Sequence, residues 1–210
     1  MAEPRTPRRP AILSPALAES IVGDEDPAAA SGIAHSSAWA LMGVGDEEFD
    51  AAAIARLREL VRAQGPDVVA HLWSRSPEFT LPGALWRLHL LVEWCRRDPA
   101  LVERRYEAGA RAPIVPGLEH PLEVRPLESI LDEVEALLRG DLTDDDLEHV
   151  LAQASIAMRL LAAGEGGDGS WITDPRDPLA HAVTTRARAL LRTAEELDLA
   201  AREAAVGGLE

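Results

Sequence analysis

At 210 residues and 47% hydrophobic content, the chain is long enough to enclose one sizeable core and too apolar to belong to the disordered class. Thirty-six acids against 21 bases leave a net charge of −15, and every base is arginine because the sequence contains no lysine. Such a field repels nucleic-acid phosphates, so direct DNA or RNA binding is excluded as a working hypothesis.

The opening stretch MAEPRTPRRPAILSPALAES carries Arg5, Arg8 and Arg9 among prolines, and Glu19 interrupts the only candidate for the apolar centre of a secretory leader. Residues 1–13 are therefore expected to be a flexible Arg/Pro-rich tail, 14–205 a single helical domain, and 206–210 a frayed end. Ser14-Pro15 has the grammar of an N-cap and first helical residue, and Gly23 would stop that short helix after Val22. Asp26-Pro27 repeats the signal and opens a segment to about Met42, with Ile33, Trp39 and Leu41 as its bulky members. Asp50 precedes a stripe of Ile54, Leu57 and Val61 at spacings of three and four, which Gly65-Pro66 ends. A short helix over Asp67–Ser74 follows.

Residues 81–97, LPGALWRLHLLVEWCRR, place Leu85, Leu88, Leu91, Val92 and Cys95 on one helical face. The wide apolar arc predicts a central helix, with Trp86 in its polar sector and Leu90 and Trp94 at its margins. Asp98-Pro99 stops it and caps the next helix. Four prolines between Gly109 and Pro126 rule out a continuous helix there. An ordered extended connector is expected, packed through Ile114, Val115, Leu118, Leu122 and Val124.

Three regular helices complete the chain. The first seam is Leu127, Ile130/Leu131, Val134 and Leu137/Leu138, ended by Gly140. Thr143 caps the second, with Asp146 at N3, and its seam runs Leu147, Val150/Leu151, Ala154, Ala157/Met158 and Leu161. The third, over 178–202, carries Val183, Ala187, Leu190, Ala194, Leu197 and Ala201. Heptad-like seams of this kind pack antiparallel bundles. The expected fold is all-α, a compact bundle of about seven to nine helices with a Pro-rich connector at 109–126.

Several constellations look chemical and fail on geometry. Cys95 faces the Leu88/Val92 side, where burial raises a thiol's pKa, and no histidine stands three or four residues away, so an inert core thiol is expected. Glu119-His120 and Glu148-His149 are adjacent pairs, which cannot converge on one ion from one helix. Asp145, Asp146 and His149 are spaced for it, but acids in a first turn are explained by the cap and the helix dipole. Gly164, Gly166 and Gly169 form a literal G-x-G-x-x-G that follows a helix and carries Glu165 and Asp168, which would repel a phosphate. No catalytic residue, cofactor or metal ligand is assigned. The lone cysteine fits a reducing, cytoplasmic setting, and no apolar run of about 18 residues predicts a membrane span.

The elements AHSSAWALM (34–42), LPGALWRLHLL (81–91), MRLLAAG (158–164) and TTRARALLRTAEELDLAAR (184–202) resemble a family of small, acidic, largely helical actinobacterial proteins. That resemblance implies a helical fold and brings no catalytic residues with it.

The function expected is non-enzymatic and regulatory: binding another protein, through the edge of the helix over 82–97 that carries Trp86, His89, Leu90, Trp94 and Arg97. An aromatic residue beside arginine is the composition of an interaction hot spot. The alternatives are a small-molecule or metal-dependent enzyme built from His71, His89, His149, His181 and nearby acids, and an acidic mimic of nucleic acid that binds a basic protein. Self-association through the helix over 178–202 is also open, since its seam can pair within or between chains.

Overall fold

The computed structural model describes residues 27–47, 49–119, 121–164 and 187–209. Every regular element among them is helical: α1 (Pro27–Met42), α2 (Ala51–Gln64), α3 (Asp67–Trp73), α4 (Leu81–Arg97), α5 (Pro99–Ala110), α6 (Leu127–Leu138), α7 (Leu147–Ala163) and α8 (Ala187–Ala205). A single 3₁₀ turn, Asp144–Asp146, leads into α7. No described helix is long and apolar enough to cross a membrane. The expected 14–22 helix, the glycine loop beyond Gly164 and the start of the last helix at 178 lie outside the described residues.

The boundaries follow from capping chemistry. The Asp50 carboxylate accepts from the Ala53 amide at 2.7 Å and Asp98 from Leu101 at 3.2 Å, each taking up one donor that a helix start leaves open. The Thr143 amide donates to the Asp146 carboxylate at 3.0 Å, within the capping box expected at this helix start. Gly65, which ends α2, and Gly140, which follows α6, have φ of 90° and 70°, values an L side chain rarely adopts.

The pivot is α4. It packs against α1 and α3 on one side and against α5, α6, α7 and α8 on the other. Its Leu81, Leu85, Leu88 and Leu91 have no solvent exposure. The α7/α8 pair is the most extensive helix contact, with the Leu190, Ala194, Leu197 and Ala201 seam buried against α7 and Ser155 Oγ donating to the Ala194 carbonyl at 2.8 Å. Over its described part, the seam of the last helix is therefore satisfied inside the chain.

Two glycines set how close α5 lies to α7. A Cβ at Gly109 would lie 2.6 Å from the Leu160 carbonyl carbon, and one at Gly164 would lie 2.7 Å from that of Arg105. The contacts pair 109 with 160 and 164 with 105, so the two helices run antiparallel with backbones touching.

The connector after Ala110 is held by its backbone more than by its apolar side chains. Arg159 Nη1 donates to the Pro116 carbonyl at 3.1 Å, and Tyr106 Oη donates to the Arg125 carbonyl at 2.8 Å. Val115 is buried and Leu118 and Leu122 are half-buried, but Ile114 is 77% exposed. That corrects the expectation that all five aliphatic residues pack inward, because a chain fixed at its carbonyls need not bury each side chain between them.

Candidate functional site

An open groove of about 800 Å³ runs between α5 and α6, with the end of the connector closing one side. Both helices pack on α4 and on α7, yet they scarcely touch each other, so the space between them stays unfilled, with Cys95 of α4 at its base. The α6 seam explains the opening. Ile130, Val134, Leu137 and Leu138 are buried as expected, whereas Leu127 and Leu131 keep part of their surface and line the groove.

The two walls have the same construction. On α5 an apolar–acid doublet, Val102-Glu103, recurs four residues later as Tyr106-Glu107. On α6, Leu127-Glu128 recurs as Leu131-Asp132. Residues four apart share a helical face, so each wall offers an apolar strip beside an acidic one. Glu107 pairs with Arg111 at 3.4 Å, while Glu103, Glu128 and Asp132 make no ion pair among the described residues. Three unneutralised carboxylates thus rim an apolar floor.

That floor is chemically quiet. Cys95 lies there, 8% exposed, and burial pushes its thiol up to about 12, so it stays protonated and a poor nucleophile at neutral pH. Burial also raises the Tyr106 phenol to about 12. At the rim, Arg125 holds Glu133 in a two-pronged ion pair, with contacts of 2.9 and 2.5 Å, and His149 Nε2 stands 3.3 Å from the same carboxylate. The hydrogen bonds from Arg125 lower the Glu133 pKa.

A smaller pocket of about 220 Å³ lies beyond the far end of the groove, where Arg62, Arg96 and Arg139 meet Asp67 and Glu135. Its charges are largely spent on one another. Arg96 bridges Glu93 at 3.0 Å and Glu135 at 3.2 Å, Arg139 reaches Glu135 at 3.1 Å, and Arg62 reaches Asp141 at 2.8 Å. This alternation ties α4 to α6 and fixes the end of the groove wall.

The edge of α4 expected to meet a partner lies mostly inside the fold. Trp94 has no exposure, Leu90 4% and His89 5%, so their placement on an open face is corrected. The cause is packing on both sides of α4: helical geometry sorts side chains into sectors, but α3, α5 and α8 cover the sectors a lone helix would leave to water. Trp86 is half-buried with its ring 5.5 Å from that of His89, and only Arg97 is open. Trp94 lies under the Arg105 guanidinium at 5.5 Å. His89 Nε2 stands 3.4 Å from Asp67, its Nδ1 has no hydrogen-bond partner among the described residues, and burial lowers its pKa.

The histidines do not converge. His89 faces α3, His149 sits at the groove rim, His71 is exposed on α3, and His120 and His181 lie outside the described residues. Among the described residues, no three of His, Cys, Asp or Glu are placed to hold a metal ion.

Comparison with known proteins gives no matching family model, curated protein or solved structure. The groove therefore has to be read on its own chemistry.

Sequence reasoning missed the groove because its walls are separated by the connector and are brought together through α4 and α7 rather than through each other. The signal was present nonetheless: two helices carrying the same apolar–acid doublet at i and i+4.

Proposed function

We propose that the chain is a non-enzymatic, cytoplasmic protein-binding module whose α5–α6 groove receives an apolar segment bearing arginine or lysine from another protein. One observation carries this reading: the twin doublets leave carboxylates on both walls that have no ion pair among the described residues, beside an apolar floor that no described residue covers. Partner side chains of the same sign are repelled, and basic ones gain a counter-charge as their apolar neighbours leave water. An open groove lined by a protonated thiol and an engaged phenol favours binding over catalysis.

The experiment is a captured complex followed by hydrogen exchange. Protection is expected over residues 99–111 and 124–135, and Leu131→Arg should release the partner while leaving the helical circular dichroism unchanged. Protection elsewhere, with Leu131→Arg still binding, overturns the proposal.

A further inference from the structure

The groove has three surfaces, and residues 4–10 of this chain, PRTPRRP, have a matching periodicity. Prolines stand at 4, 7 and 10. A polyproline II helix has three residues per turn, so a segment of this period presents one edge of prolines, a second with Arg5 and Arg8, and a third with Thr6 and Arg9. An apolar floor between two acidic walls is complementary to such a three-edged rod. We infer that this segment, which lies outside the described residues, is an intramolecular ligand of the groove, its prolines on the floor and its arginines against the walls. The inference rests on the docking role proposed above and adds a regulator of it.

Three further observations favour this occupant. The charges complement one another: Arg5, Arg8 and Arg9 form a basic cluster in a chain of net charge −15, and Glu103, Glu128 and Asp132 have no ion pair among the described residues. The lengths agree as well. Each wall is a 12-residue helix, about 18 Å long, and six or seven residues of polyproline II span about 19–22 Å. The reach suffices: even with the helix expected over 14–22, the 17 residues from Pro10 to Pro27 span up to about 40 Å, against a radius of gyration of about 17 Å for a domain of this size. Tethering supplies the segment at a local concentration on the order of millimolar. A partner must therefore displace it, and one lacking both basic and apolar character fails to do so.

The full chain tests this in two ways. A photo-cross-linking amino acid in place of Thr6 should label peptides of α5 and α6, within single chains when isotopically light and heavy protein are mixed. Labelling elsewhere overturns the inference, and so does labelling confined to light–heavy pairs, which would assign the groove to a second copy. In the second arm, a fluorescent peptide of residues 3–13 is titrated against the wild-type chain and the Arg5→Ser/Arg8→Ser/Arg9→Ser variant. Binding to the variant should be at least tenfold tighter, should weaken as salt rises, and should vanish when Glu128→Arg and Asp132→Arg are added. Equal binding to both chains overturns the intramolecular ligand and leaves the groove as a docking site. Failure to bind either chain overturns the inference too, and hydrogen exchange on the partner complex then decides separately whether the groove docks anything.

Discussion

The contact between α5 and α7 gives the sharpest stability prediction, because glycines in different settings should respond to the same substitution with opposite signs. Gly109→Ala puts a Cβ 2.6 Å from the Leu160 carbonyl carbon, where non-bonded carbons prefer about 3.5–4.0 Å. The obstacle is helix backbone, which cannot rotate aside, so the two helices must part by about 1 Å. Overpacking of this kind costs about 1–3 kcal/mol, offset in part by the roughly 1 kcal/mol that alanine gains over glycine within a helix. Because the obstacle is backbone, the upper end of that range applies, and the resulting net loss of about 2 kcal/mol lowers the melting temperature by about 4–8 °C for a chain of this length. Gly32→Ala in α1 is the internal control, since a Cβ there meets nothing within 4 Å and the propensity gain stands alone, raising the melting temperature by about 2–4 °C. Urea and thermal melts of both variants measure the difference. A Gly109→Ala protein as stable as Gly32→Ala would refute the backbone contact, and with it the argument that α5 is fixed in place as a groove wall.

Three other outcomes are expected. Burial depresses the His89 pKa below 6.5, so the unfolded chain takes up a proton that the folded chain refuses; stability should fall as pH drops from about 6.5 toward the folded value, and His89→Phe should flatten that slope in denaturant titrations. The Cys95 thiol, held up to about 12, should react with iodoacetamide at pH 8 on the order of a hundredfold more slowly in the folded chain than in urea, as followed by mass spectrometry. Tyr106→Phe removes the bond to the Arg125 carbonyl and should cost about 1 kcal/mol by chemical denaturation, with faster amide exchange confined to the connector.

Much of the architecture was legible because it rests on local rules. The seams of α7 and α8, the caps at Asp50 and Asp98, and the stops at Gly65 and Gly140 all follow from chemistry within a few residues of one another. What was not legible depends on neighbours distant in sequence. His89 reads as polar and therefore outward, yet Asp67 on α3 gives it a partner inside. Trp94 reads as marginal until Arg105 covers it from α5. Leu131 reads as core and is half open, because α5 stops short of closing over it. Periodicity fixes which side chains share a face, and long-range packing decides which faces reach water.

The absence of any strand among the described residues bears on how this molecule can recognise anything. The lone bridge between Val115 and Leu118 offers no row of open amides, and the helices spend theirs internally. An incoming chain thus finds no ladder on which to register as an added strand. A segment docked in the proposed groove would be read chiefly through protruding groups, so its identity would reside in a few positions at fixed intervals, with the residues between them free to vary.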